Sequence, residues 1–86
     1  PVGALCIAPV MLAKVLDGIT ITIGSDTGTA AHISAMGAHH EAKQQGEVTI
    51  DEENLIFTTP CYMLPARISD IADCADHLIK AMMPYL

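Results

Sequence analysis

Basic side chains are scarce in this sequence. Its 86 residues hold four Lys plus Arg against ten Asp plus Glu, a formal charge of −6. Nucleic acid and anionic membrane surfaces are gripped by clustered Lys and Arg, so neither is expected as a partner. Long apolar runs are also missing. The longest is a few residues, far below the ~20 that cross a bilayer. The opening Pro1-Val2-Gly3-Ala4-Leu5-Cys6 has no basic region and no extended apolar core, so it is not read as a secretory signal. No Met begins the chain, and the expectation is a portion of something longer. Paired cysteines are absent too: Cys6, Cys61 and Cys74 are an odd number, and no two stand at C-x-x-C spacing. A secreted disulfide framework favours an even count, so reduced thiols in a cytoplasmic setting are expected. A mitochondrial setting stays open for a eukaryotic relative. Repeats, linkers and low-complexity segments are not seen.

What is present is mostly apolar. Hydrophobic residues make up 51% and charged ones 16%, which excludes simple disorder. The length suits one domain or less, above the ~40 residues below which staples are usually needed. Val2 to Cys6 reads as a short buried strand. Pro9 then suits a helix start, Leu12, Val15 and Leu16 fall at helical spacing, and Gly18 is placed to stop it. Ile19-Thr20-Ile21-Thr22-Ile23 alternates with period two and is β-branched throughout, the clearest strand. Gly24-Ser25-Asp26-Thr27-Gly28 is a turn cluster able to cap a helix over Thr29–Met36, with Gly37 as its stop. Glu47–Asp51 and Leu55–Thr59 flank a polar link and predict a hairpin. From Pro65 to about Met83 the apolar positions 68, 71, 72, 75, 78, 79 and 82 predict one long amphipathic helix. Alternating strands and helices predict an α/β fold with a mostly parallel sheet.

Cys6 stands out chemically. Ala4-Leu5-Cys6-Ile7-Ala8 sets a thiol between small residues where a strand gives way to a helix, the spacing of a nucleophile elbow. Bulky neighbours two places away would collide in so tight a turn. The positive end of the following helix would favour thiolate. The Ile7 N–H would face a developing oxyanion. The competing reading is a buried packing cysteine, which is common in cores.

Pro1-Val2-Gly3-Ala4-Leu5-Cys6-Ile7-Ala8-Pro9 resembles the elbow segment of the ElbB-like proteins, also called enhancing lycopene biosynthesis proteins. The resemblance runs on through Thr22-Ile23-Gly24-Ser25-Asp26, Met36-Gly37-Ala38-His39-His40 and Thr58-Thr59-Pro60-Cys61-Tyr62-Met63-Leu64. These proteins belong to the ThiJ/PfpI branch of the class I glutamine amidotransferase-like superfamily. The resemblance implies the C-terminal part of a flavodoxin-like sandwich, with residues 1–86 as the C-terminal portion of a single domain whose N-terminal half is absent. It also implies glyoxalase-type chemistry, a glyoxalase III-like hydro-lyase acting on glyoxal or methylglyoxal without a cofactor. Cys6 matches the nucleophile. The acidic partner in the superfamily comes from the N-terminal half, so no Asp or Glu here takes that role. The alternative is a non-catalytic or redox-sensing protein on the same scaffold, linked to isoprenoid biosynthesis, in which Cys6 senses oxidants. Glutamine amidotransfer is a weaker third reading, because the triad His positions hold Ile7 and the Gly24-Ser25-Asp26 loop.

Other residues carry less. His39-His40-Glu41 invites a metal, but neighbours on a strand point to opposite faces, so no metal is expected. His40 matches a family His and is read as structural. Cys61 either lines the pocket or packs, and Thr58 and Thr59 either cap a turn or touch substrate. Thr59 and Cys61 are carried forward as pocket candidates. Cys74 is read as inert. Met82, Met83 and Tyr85 pack on the core or on a partner subunit, which leaves a homodimer open. The other partners expected are the aldehyde substrate and the N-terminal half.

Overall fold

The computed structural model describes all residues 1–86. Strand β1 (Val2–Leu5) leads into helix α1 (Pro9–Val15), then β2 (Thr20–Ile21), α2 (Thr27–Ala35) and β3 (His39–His40). The hairpin β4 (Thr49–Asp51) and β5 (Ile56–Thr59) follows, then one 3-10 turn over Cys61–Met63 and the long helix α3 (Ile68–Met82). The strands form two sheets, ordered β1-β5-β4 and β2-β3. β1 runs parallel to β5 with Leu5 beside Thr59, and β2 runs parallel to β3. Only the hairpin is antiparallel, with Thr49 opposite Thr58 and Asp51 opposite Ile56. The α/β class, the mostly parallel pairing, the hairpin and the long last helix all agree with the sequence reading.

β2 shows why the two sheets act as one. Its regular pairing covers only Thr20 and Ile21, although the period-two pattern predicts Ile19 to Ile23. Both faces of that segment are covered: Ile19, Ile21, Thr22 and Ile23 are each at most 1% exposed. Carbonyls of Ile19 and Ile21 accept from His39 and Glu41 on the β3 side. The amides on the opposite edge meet side chains instead of a strand. Thr20 N–H donates to Asp51 Oδ2 at 2.7 Å, and Thr22 N–H donates to Thr58 Oγ1 at 2.9 Å. The amides of Thr20 and Thr22 are thus satisfied without a continuous ladder.

Alternation along β5 builds the layers. Ile56 joins Ala13, Ile19, Ile21, Ile23, Ile33 and Ala38 in a core against α1 and α2. Phe57 points the other way and meets Tyr85, just beyond α3, at 5.2 Å between ring centroids. Each isoleucine buried in this way contributes roughly 1.5–3 kcal/mol relative to exposure. α3 lies across β1 so closely that a Cβ on Gly3 would come 2.6 Å from Met82 Sδ.

The strands are shorter than expected, β4 starting at Thr49 and β5 at Ile56, and two helix starts differ as well. α2 begins at Thr27 because Asp26 caps it, accepting from Thr29 N–H at 2.9 Å and from the Thr29 hydroxyl. α3 begins at Ile68 rather than Pro65. Arg67 is extended there, and its N–H donates to Asp70 Oδ2 at 2.9 Å. The buried face of α3 is also turned from the expected stripe. Cys74 and Leu78 are its buried residues, whereas Ile68 is 84% and Ile79 56% exposed.

Candidate active site

The carboxyl ends of β1 and β5 open on the same side, where ligands bind in open α/β sheets. β1 ends in a bend at Cys6, whose φ of 62° lies in the left-handed region. For a residue with a side chain that conformation costs ~1–3 kcal/mol and persists where its surroundings enforce it. The surroundings do so here. Cys6 N–H donates to Thr59 O at 3.1 Å, and Ala8 N–H folds back on Leu5 O at 3.2 Å. Val10 N–H then bonds Ile7 O at 3.0 Å as α1 starts, with Pro9 in its first turn. Ile7 N–H takes no part in these bonds. The result is a half-buried thiol on a sharp bend with a free amide beside it.

The other candidates converge on this bend from β5. Thr59 carries the carbonyl that holds Cys6, while its hydroxyl turns away and donates to Glu47 O at 2.8 Å. Thr59 and Cys61 are both fully buried, so within these residues neither offers surface to a ligand. Thr58 is also fully buried, and its hydroxyl is spent on Thr22 N–H. The loop after β2 closes a third side: a Cβ on Gly24 (φ 102°) would stand 3.1 Å from Pro60 Cβ.

No histidine is seen bonded to the thiol. His40 accepts Ile23 N–H on Nε2 at 3.3 Å, and His77 Nδ1 pairs with Gly46 O at 2.8 Å. Burial lowers the His40 pKa against the raising influence of Glu41, so the imidazole is held neutral as an acceptor. His, Cys, Asp and Glu side chains gather in no group of three or more that could hold a metal ion. No helix is long and apolar enough to cross a membrane.

Sequence reading missed three features. Cys61 is a second left-handed cysteine, with φ 51°. Cys74 lies fully buried at the back of the site and accepts from Gln45 Nε2 at 3.0 Å on Sγ. Asp51 stitches β2 to the hairpin. None has a local signature, because each depends on residues brought together from distant parts of the chain.

A thiol on a strained strand-to-helix bend, at the carboxyl edge of a mostly parallel sheet covered by helices on both faces, defines an α/β protein of the elbow-cysteine class. No family model matches the chain. It is 34% identical over 92 residues to the "ES1 protein homolog, mitochondrial" of Rattus norvegicus, covering 96% of this chain and 35% of that protein. It is 35% identical to the "Glutamine amidotransferase-like class 1 domain-containing protein 3, mitochondrial" of Homo sapiens, over 96% of this chain and 34% of that one. The crystal structure of an isoprenoid biosynthesis protein with amidotransferase-like domain from Ehrlichia chaffeensis matches with a TM-score of 0.84 at 27% identity, over 100% of this chain and 40% of that chain. The chain belongs to the glutamine amidotransferase-like class 1 superfamily, on its ElbB-like branch. It spans about a third of the length of these curated relatives.

Proposed function

We propose that the whole protein converts small 2-oxoaldehydes, such as glyoxal and methylglyoxal, to 2-hydroxy acids by a cofactor-independent, glyoxalase-like reaction at Cys6. The observation that carries this reading is the pairing of a half-buried thiol at φ 62° with the unengaged amide of Ile7. The Cys6 thiolate adds to the aldehyde carbon, and the carbonyl oxygen becomes an oxyanion within reach of Ile7 N–H. A base removes the proton from that carbon and an acid returns it to the neighbouring one, leaving a thioester on Cys6 and a new hydroxyl. Water then cleaves the thioester, freeing the hydroxy acid and the thiol. The sum is aldehyde plus water to acid, with no external oxidant.

The proton-transferring carboxylate is assigned to a part of the polypeptide outside residues 1–86, which make up about a third of the relatives' length. Residues 1–86 then act as the C-terminal portion of one domain, Thr59 and Cys61 back the pocket, and the chain alone turns over no aldehyde. Three unpaired cysteines support a reducing setting, the cytoplasm or the mitochondrion that the rat and human relatives carry in their names. A link to isoprenoid biosynthesis follows the description of the Ehrlichia protein. The test is aldehyde turnover by the full-length protein and its Cys6→Ser and Cys6→Ala variants. Loss of turnover with the fold intact supports the reading, and unchanged turnover removes Cys6 from it.

A further inference from the structure

Two of the three thiols leave the sheet side by side. β1 and β5 are parallel neighbours with Leu5 level with Thr59. Cys6 is the first residue after β1, and Cys61 is the second after β5. Continued one residue, that register sets Cys6 beside Pro60 and leaves Cys61 the next residue along. Neighbouring strands lie ~4.8 Å apart, and a disulfide needs Cα atoms ~4.4–6.8 Å apart. The bond from Cys6 N–H to Thr59 O clamps the two exits together, and both cysteines are turned into the left-handed region there. The order of the thiols runs inward. Cys6 is half-buried, whereas Cys61 and Cys74 are fully buried. Cys74 lies close enough to Cys61 to influence its thiol and is held from behind by Gln45, whose Nε2 donates to the Cys74 sulfur at 3.0 Å. Burial, and after it the nearness of the Cys74 and Cys6 sulfurs, push the Cys61 thiol above its ordinary value despite a lowering bond from the Tyr62 amide. Cys61 is the shielded thiol of the two, and Cys6 is the more accessible one.

We propose that Cys61 is the resolving thiol for Cys6, so that a hydroperoxide arriving from solvent is converted into a Cys6–Cys61 disulfide. In the first step the Cys6 thiolate attacks one peroxide oxygen. An S–O bond forms, the O–O bond breaks, and the departing oxygen leaves as alkoxide or hydroxide and takes up a proton. Sulfur loses two electrons and the peroxide gains them, giving sulfenic acid. In the second step Cys61 sulfur attacks Cys6 sulfur. An S–S bond forms, the S–O bond breaks, and the hydroxyl departs with the Cys61 proton as water. The disulfide removes the nucleophile from aldehyde chemistry until a thiol reductant restores it. The inference shares the accessible Cys6 of the proposed function but does not need aldehyde turnover.

Trypsin places the three cysteines on separate peptides, 1–14, 44–67 and 68–80, which makes the partner readable. The full chain is treated with mild hydrogen peroxide, with and without the sulfenic-acid trap dimedone, then digested and mass-mapped without reduction. The expected product is a 1–14/44–67 cross-link, two hydrogens lighter than the sum of its peptides and abolished by dithiothreitol. Dimedone should add little to Cys6 in the unmutated chain and label it strongly in Cys61→Ala and Cys61→Ser, each checked for fold by circular dichroism. The mapping of the unmutated chain stands even where a variant misfolds. A cross-link from 1–14 to 68–80, no cross-link to 44–67, or equal dimedone labelling with and without Cys61 overturns the proposal. Aldehyde kinetics, run separately, report on the proposed function alone.

Discussion

The amide of Thr22 donates to the hydroxyl of Thr58 at 2.9 Å, across 36 residues of chain and between two sheets. Both side chains are fully buried, so no water replaces the bond if it is lost. Thr58→Val keeps the shape and removes the acceptor. The expected cost is about 1–3 kcal/mol, the usual penalty for a stranded buried amide. Urea unfolding should show a lower midpoint with an unchanged slope.

Gly3 and Met82 set the distance between β1 and α3. A valine at position 3 has to displace Met82 Sδ, which lies 2.6 Å from where the new Cβ would stand. Gly3→Val should destabilise by about 1–3 kcal/mol through overpacking. Shortening the neighbour in Gly3→Val/Met82→Ala should recover part of that loss in the same unfolding assay. A double variant no better than the single one would place the strain elsewhere.

Asp51 ties β2 to the hairpin. Burial pushes its carboxyl up, but bonds from Thr20 N–H, the Asn54 amide groups and Glu53 N–H outweigh burial, and its pKa sits below 3.8. A carboxyl depressed in the folded state adds stability that is full above its unfolded value and is lost as pH falls through the folded one. Stability should therefore drop as pH falls below ~4, near the unfolded carboxyl value. Asp51→Asn should flatten that acid limb. Thermal melts of the two proteins across the acid range compare them directly.

His40 gives a second pH response, at a higher range. Its ring accepts Ile23 N–H, and burial, opposed by Glu41, holds its pKa below 6.5. Protonation destroys the acceptor. The stability it supplies is full above the unfolded value and is lost as pH falls below 6.5 through the lowered folded value. His40→Gln, which can still accept the amide, should remove this part of the pH dependence. The side-chain resonances of His40 should titrate below 6.5 in the folded protein.

Much of the fold was legible because it is written locally. The β-branched alternation around Ile21, the turn residues from Gly24 to Gly28 and the paired runs flanking Glu52-Glu53-Asn54 each report on their own few residues. Pro65 and Ala66 allow helix, so the pattern predicts too early a start for α3, while the bond from Arg67 N–H to Asp70 decides where it begins. Its buried face differs from the apolar stripe because Ile68 and Ile79 are apolar yet exposed, and only packing on β1 and β5 selects Cys74 and Leu78. At the site, the bend at Cys6 could be anticipated from Ala4 and Ala8 around it. The neighbourhood of Cys61 could not, because it depends on Leu5 and Thr59 sharing a register across more than half the chain.

The central claim is that Cys6 is the reacting nucleophile, and the most direct measurement is kcat/KM for methylglyoxal with full-length protein and its Cys6→Ser variant. The account predicts a fall of at least about a thousandfold in the variant, the scale seen when a covalent nucleophile is removed, with far-UV circular dichroism unchanged. A Cys6→Ser protein that turns over the aldehyde at the unmutated rate would contradict it.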